Sequence, residues 1–393
     1  MKIVILTQYF LPEMGAPQSR LYELAKGLQQ LGWEVSIVTA MPNYPTGKIF
    51  KGYRSAFYKT EAVSGILTRR YWLYASNSSR AFPRIINMLS FSVVSFFSIF
   101  FIRSQKPHYL LVESPPLTLA FTGWVLSKLS GSRMIMNVSD LWPLSAKELG
   151  AIGDGFLYKT LEKLEHFLYR KAFLCTGQSQ EIVDHIQKVN INNSVYLFRN
   201  GVDVSRFSRG VYDPLKRNCL VYAGLLGVAQ GILSICEHIN FKQLGTEFHI
   251  YGSGFEQVQI EQFILLHPDK GIKYMGMMPR DTTPDVLSSY GGALIALVKN
   301  IYGAVPSKIY EAMAAGLPII FSGEGEGAII VEKSLAGWVS KPGQWQRLSE
   351  AIRDFKEMDA EAYQRMRIHN KETAQTRFNR QTGIKQFHQY LLS

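Results

Sequence analysis

The chain has 393 residues, of which 47% are hydrophobic, 19% charged and 12% aromatic. It is too apolar for a disordered chain, and 32 Gly with 16 Pro exclude collagen-like and low-complexity readings. At roughly 100–200 residues per domain the length predicts two domains, and a formal charge of +12 points to an anionic partner.

The start, Met1–Leu6, is too short for a signal peptide and continues as strand Ile3–Thr7. The loop from Tyr9 to Pro17 then joins a strand end to helix Arg20–Leu31. In a doubly wound sheet such a loop binds ligands, and Gly15 allows close backbone approach by an anion. A plain turn is the competing reading. Strand Glu34–Thr39 follows.

Next comes the basic stretch. Lys48, Lys51, Arg54, Lys59, Arg69, Arg70, Arg80, Arg84, Arg103 and Lys106 stand against one acid, Glu61. Anionic lipid, lipid-linked phosphate and nucleic acid all fit such a patch. Tyr53, Phe57, Tyr58, Tyr71, Trp72 and Tyr74 interleave with it, but no nucleic-acid motif accompanies them, so no nucleic-acid partner is expected. Within the stretch, Ile85–Ile102 carries no charge. Its length allows a membrane span. Asn87, four Ser and its place between predicted strands favour a buried helix, or one with a face in the membrane interface.

Strands Tyr109–Glu113 and Met134–Val138 complete the first run. Asp140 follows the latter, where it either faces a ligand or caps the next helix. Ser194–Phe198 is strand-like, and the turn signal Asn200-Gly201 puts the domain boundary within Phe198–Arg209. A second alternation then begins: Cys219–Ala223, Phe248–Tyr251, Lys273–Met275, Ala293–Leu297 and Pro318–Phe321, with helical segments between. Two such runs predict two α/β domains with parallel sheets. Residues 1–198, 199–374 and a helical tail, 375–393, are the expected divisions. Cys175, Cys219 and Cys236 form neither a CxxC nor a zinc spacing, so no disulfide framework and no metal site are expected, and a reducing compartment is.

The segment Val305–Pro318 carries the most chemistry. Pro306 suits a helix start and Gly316 the residue past its end, so Ser307–Ala315 is a short helix. Its first amides, Ser307 and Lys308 suit a phosphate or diphosphate. Glu311, one turn on, can accept from ribose hydroxyls. An ordinary Lys–Glu surface pair is the bland alternative. Gly224 and Gly227, and Gly252 and Gly254, sit in turns after predicted strands, where glycine lets a nucleotide approach the backbone.

Taken together, these motifs resemble family 4 of the retaining glycosyltransferases, of the GT-B fold. More narrowly they are similar to a bacterial O-antigen and capsule branch that includes fucosaminyl and fucosyl transferases. The residues are Pro12–Ala16 with Arg20 and Glu23–Ala25, Pro42–Gly47, Glu113–Leu117, Asp140–Pro143, Asn200–Asp203, Gly224–Gly231, Tyr251–Gly254 and Pro306–Pro318. The resemblance implies two Rossmann-like doubly wound domains facing a central cleft. The C-terminal one would hold a nucleotide-diphosphate sugar, UDP-linked, as co-substrate without a further cofactor or metal. The N-terminal one would hold a polyprenyl-diphosphate-linked sugar at the cytoplasmic face of the inner membrane, docked through anionic lipid. Lys308 and the Ser307 amide would stabilise the leaving diphosphate, Glu311 would bind ribose, and Gly15 would approach the donor. Asp140 would orient sugar hydroxyls, and the tail helix would return to the N-terminal domain. A non-catalytic sugar-nucleotide-binding protein and a UDP-sugar 2-epimerase are the alternatives on this fold.

Departures from the family pattern are specific. The first Glu of its Glu-x7-Glu pair falls at Gly303, leaving the sugar to the backbone around Gly303 and Ala304. The Arg and Lys expected after Gly224 are Leu225 and Gln230. Ser139 replaces a His or Arg, and Leu144 replaces a Glu.

Overall fold

Strands buried on both faces read as continuous apolar runs, and the centres of both sheets of the computed structural model, Lys2–Leu6, Tyr109–Ser114, Cys219–Ala223, Gly292–Ala296 and Ile319–Ser322, are largely such runs. The structure describes residues 1–13, 15–78, 81–189, 194–279, 281–298 and 301–393. Met14 of the first loop and Arg80 of the basic stretch lie outside them. The chain divides into two compact units, 1–199 with 383–393, and 200–382.

The first unit contains β1 (Lys2–Leu6), β2 (Glu34–Ala40), β3 (Tyr58–Val63), β4 (Ile66–Tyr71), β5 (Tyr109–Ser114), β6 (Arg133–Val138), β7 (Leu174–Gly177) and β8 (Ser194–Leu197). They form one sheet in the order β3-β4-β2-β1-β5-β6-β7-β8. Helix Ala16–Gln30 buries Leu21, Leu24, Ala25 and Leu28 at helical spacing against Ile3, Ile5 and Ile37. Each of these leucines contributes about 1.5–3 kcal/mol. Ile384, Phe387 and Leu391 of helix Arg380–Leu392 join the same core. Trp33 Nε1 donates to His388 at 2.7 Å and the Tyr109 hydroxyl to Leu391 O at 3.0 Å.

The second unit contains β9 (Cys219–Ala223), β10 (Glu247–Tyr251), β11 (Ile272–Tyr274), β12 (Gly292–Ala296), β13 (Ile319–Ser322) and β14 (Gly337–Ser340), in the order β11-β10-β9-β12-β13-β14, all parallel. Alternation assigns the two cores. Cys219, Val221, Ala293 and Ile295 face one, and Leu220, Tyr222, Leu294 and Ala296 face the other.

Four strands and two helical segments differ from the sequence expectations. The basic stretch contains a β3–β4 hairpin, and β3 is antiparallel, so the first sheet is mixed. β7 and β14 were not expected; at four residues each they are too short to show a period. The apolar run is not one regular helix. It comprises Ala81–Val94, a 3-10 turn Ser95–Ser98 and Ile99–Gln105. The tail is broken as well: helix Ala360–Arg377 ends before Arg380–Leu392 begins, and Val202 N bonds to Phe378 O between them.

The hairpin also changes the charge accounting. Arg70 is 0% exposed. Its Nε lies 2.5 Å from Glu61 Oε1, and its other nitrogens donate to the carbonyls of Ala40 and Leu11. Arg69 stacks on Tyr58 and Phe101. Of the ten cations, Lys48, Lys51, Arg54, Arg84, Arg103 and Lys106 are exposed among the described residues.

Candidate functional site

In the second unit β9 and β10 are each followed directly by a glycine, Gly224 and Gly252. Gly224 N donates to Tyr251 O at 3.0 Å, and Leu226 N donates to Ser253 O at 2.9 Å. The two loops therefore continue side by side beyond the sheet. Gly224 has φ 154° and Gly252 φ 139°, conformations that L side chains avoid. A Cβ on Gly252 would overlap Gly224 O, and one on Gly224 would overlap the Lys308 side chain.

Lys308 reaches this point from helix Ser307–Ala314, which starts after Pro306 and is anchored by buried Ile309, Tyr310, Ala312 and Met313. Its ammonium lies 5.4 Å from the Tyr222 ring centroid. Burial lowers its pKa, and Glu311 acts in the opposite sense. A cation held largely out of water beside a Gly-lined loop suits a polyanion that restores its lost solvation.

A cavity of about 380 Å³ opens at these loops. Gly224, Gly252 and Glu311 line it, whereas Lys308 and Glu311 border a smaller pocket of about 20 Å³. Gly254, Gly303 and Ser307 are not among the lining residues, although Ser253 is. Leu225, at the family's Arg position, is exposed and lines the cavity. Gln230, at the Lys position, has a buried Oε1 without a hydrogen-bond partner. Tyr251, which opens the Tyr251–Gly254 motif, lines the cavity, as do Arg206, Met277, Met278 and Thr283, which sequence reasoning missed. Arg206 comes from the 3-10 turn Val204–Phe207, whose start Asp203 caps by accepting from Ser205 N. The Asn200–Asp203 motif marked that turn, but nothing local shows which way Arg206 faces.

The first unit collects a polar cluster at its strand ends. Arg20 donates to Glu113, to Ser139 Oγ at 2.6 Å and to Gln178 at 3.1 Å. Asn137 donates to the other oxygen of Glu113 at 2.5 Å and accepts from Thr176 at 2.6 Å. Ser139 thus stands where Arg20, from a different element, brings a guanidinium. Asp140 accepts from Ser145 Oγ at 2.9 Å; burial raises its pKa, against hydrogen bonds from Ser145 and the Leu141 amide. Gly15 precedes helix Ala16–Gln30 in extended conformation, with no side-chain cap. Glu13 holds the neighbouring loop. It accepts from the amides of Asn43 at 2.7 Å, Tyr44 at 2.8 Å and Phe10 at 3.2 Å.

Two trios offer metal-ligand atoms within 4.8 Å of one another: Glu165, His166 and His185, and Cys219, Glu247 and His249. Neither contains a cavity-lining residue, and both acids are already bonded, Glu165 to Tyr169 and Glu247 to Lys273.

Helix 82–105 has its polarity reversed. Asn87, Ser92, Ser95 and Ser98 are buried, while Phe82, Ile85, Leu89, Val93, Phe97 and Phe100 are exposed, Phe100 at 76%. Asn87 accepts from Gln8 at 2.6 Å and donates to Tyr74 O at 2.8 Å; Ser92 and Thr118 hydroxyls lie 2.8 Å apart. One side is thereby bound into the first unit. The helical repeat places Phe82, Ile85, Leu89 and Val93 along one stripe, and Phe97 and Phe100 continue the exposed apolar surface in and beyond the 3-10 turn.

Comparison with known proteins gives a consistent picture. Residues 15–201 match the family described as glycosyl transferase 4-like domain, and residues 212–373 match glycosyl transferases group 1. WcaI of Escherichia coli (strain K12), named as a colanic acid biosynthesis glycosyl transferase, is 24% identical over 82% of this chain and 84% of its own. Anabaena HepE, solved in complex with UDP, has TM-score 0.72 and 15% identity, covering 100% of this chain and 99% of that one. Sucrose-phosphate synthase of Thermosynechococcus elongatus has TM-score 0.73 and 14% identity, covering 99% and 98%.

Proposed function

This chain is a glycosyltransferase of the GT-B fold related to bacterial capsule and lipopolysaccharide biosynthesis enzymes, and from that premise we propose its donor, acceptor and place of action. The donor is a UDP-linked sugar, an N-acetylated deoxyhexose, held in the cavity of the second unit. The acceptor is a polyprenyl-diphosphate-linked saccharide of a bacterial surface polysaccharide. Transfer retains the anomeric configuration and takes no metal.

The observation that carries this reading is the Lys308 ammonium lying against Gly224, with Glu311 in the wall of the cavity. Charge developing on the leaving diphosphate is met by Lys308 and the amides at the start of its helix, both already in place. Glu311 accepts from ribose hydroxyls. Among the cavity's side chains Arg206 adds a second cation, which offsets the neutral Leu225 and Gln230. UDP is favoured as the nucleotide because HepE binds it on the same fold. Asp140, half-buried beside Ser145, is assigned to the acceptor or sugar hydroxyls.

The reversed helix supports a peripheral site of action at the cytoplasmic face of the inner membrane. Apolar side chains face outward in a stripe, and Arg84, Arg103 and Lys106 lie at its ends or alongside it. Such a face buries its apolar side in the acyl boundary while its cations meet anionic headgroups. Packing of the opposite side on the protein argues against a span.

Calorimetric titration of UDP and GDP without metal, against wild type and Glu311→Ala, tests the donor site. UDP binding that Glu311→Ala abolishes is expected. Stronger GDP binding would redirect the choice of donor, and no binding of either would overturn the assignment.

A further inference from the structure

Successive side chains alternate across a sheet, so Glu247, His249 and Tyr251 share one face of β10. With Tyr290, just after helix Thr283–Ser289, they form a continuous row. The Tyr251 and Tyr290 hydroxyls lie 3.0 Å apart, Tyr290 OH is 2.9 Å from His249 Nδ1, and His249 Nε2 is 2.8 Å from Glu247 Oε2. Glu247 also accepts from Lys273 at 2.8 Å. His249 and Tyr290 are buried. The row runs from a partly exposed ion pair to Tyr251, which lines the donor cavity.

The direction of every proton in the row follows from the groups themselves. Glu247 is ionised, its pKa lowered first by the hydrogen bond from Lys273, and a carboxylate only accepts. His249 Nε2 therefore carries a proton. In the neutral imidazole Nδ1 is then the acceptor, so Tyr290 donates to it. Tyr290 has no second proton, so its oxygen accepts from Tyr251. The Tyr251 hydroxyl proton is committed to the row, and its oxygen is left with acceptor capacity alone.

Protonation of His249 reverses this order. Nδ1–H would donate to Tyr290 and Tyr290 to Tyr251, and the Tyr251 hydroxyl would keep its proton but turn it out of the row, as a donor. The charged groups around the imidazole are Glu247 on its own strand, Lys273 on β11 and Lys216 on the turn before β9, with the Cys219 thiol on β9. Burial lowers the His249 pKa, Lys273 and Lys216 add to the effect, and Glu247 opposes it. Neutral His249 is thus the form at neutral pH. The two lysines also disfavour a divalent metal among Cys219, Glu247 and His249.

We propose that Glu247, His249 and Tyr290 are positioning residues for the donor site: they hold Tyr251 in the cavity wall and make its hydroxyl a hydrogen-bond acceptor for the nucleoside. This rests on the assignment of the cavity to the nucleotide sugar. The group it suits is a donor on the nucleoside, and the control over it lies at the far end of the strand.

The test is the UDP dissociation constant by calorimetry from pH 5 to pH 8 for wild type, Tyr290→Phe and His249→Gln, with thermal midpoints as folding controls. UDP's own phosphate titrates in all three proteins, so the row shows as the difference between them. Tyr290→Phe is expected to weaken UDP about three- to tenfold at neutral pH, the range for losing one hydrogen bond. Wild type should also lose affinity as pH falls through the His249 titration. That step should vanish in Tyr290→Phe, where the imidazole still titrates but is cut off from Tyr251, and in His249→Gln, which cannot titrate. A merely structural role would weaken binding without removing the step. If wild type binds UDP and Tyr290→Phe matches it in affinity, or if the step persists in the folded variants, the proposal is overturned while the donor site stands. If wild type binds neither UDP nor GDP, the donor site falls and this proposal with it.

Discussion

Lys308 crosses Gly224 so closely that a single methyl group on the glycine would occupy the space of the lysine's Cε. Gly224 is therefore required twice, by its φ of 154° and by the cation above it. Lys308→Ala is expected to cut turnover by about 10²-fold, the scale seen when one preorganised group at a developing charge is removed. Gly224→Ala should also lose activity, but less in the Lys308→Ala background, where part of the clash is gone. Steady-state kinetics of the two single variants and the double variant check this. Near-normal turnover in Lys308→Ala would remove the lysine from the mechanism.

The exposed stripe on helix 82–105 gives a prediction independent of the donor site. Phe97 and Phe100 are both more than half exposed. Burying a Phe is worth about 1.5–3 kcal/mol, or more than tenfold in partitioning. Phe97→Asp with Phe100→Asp should lower co-flotation with anionic vesicles by at least tenfold and leave UDP affinity unchanged. Raising the salt should weaken wild-type flotation through the exposed Lys and Arg. Flotation of the double variant at the wild-type level would exclude this face.

Arg70 is a structural cation. Removing one partner of a buried pair costs about 3–5 kcal/mol, because the other is left uncompensated. Arg70→Ala is expected to destabilise the first unit by about 3 kcal/mol, through loss of its bonds to Glu61 and to the carbonyls of Leu11 and Ala40. Urea unfolding followed by tryptophan fluorescence measures it. A change under 1 kcal/mol would mean that the hairpin holds without the pair.

Glu13 should leave a mark on the pH dependence of stability. Burial raises its pKa above the usual carboxylate range, against three amide hydrogen bonds and Arg70. A carboxyl with a raised folded-state pKa binds its proton more tightly in the native chain. Its contribution is full below the unfolded value and is lost as pH rises through the folded one. Relative to Glu13→Gln, which does not titrate, wild type should therefore lose melting temperature as pH rises from about 4 to 7. A difference independent of pH, or one that grows in favour of wild type, would contradict the sign.

Much of the second unit could be read directly. β9, β12 and β13 are buried on both faces and read as short apolar runs, β10 keeps Phe248 and Ile250 apolar between Glu247, His249 and Tyr251, and the glycines and Lys308–Glu311 spacing stand beside them. The lining by Tyr251 and Met277 was not legible. Each is an ordinary residue locally, and only the approach of the turn carrying Arg206 and of helix Thr283–Ser289 makes them cavity walls.

The apolar run and the basic stretch mark the division most clearly. Residue order alone determined that Phe82, Ile85, Leu89 and Val93 would share a helical face, because the repeat of 3.6 residues is local. It also determined the charge total. Which face turns inward depends on partners far along the chain, such as Gln8 for Asn87 and Thr118 for Ser92. Only the tertiary structure decided that the polar face is buried, the apolar face left outside, and Arg70 withdrawn from the surface. The physical reason is that a buried polar group must find its hydrogen-bond partner, and that partner is supplied by the fold.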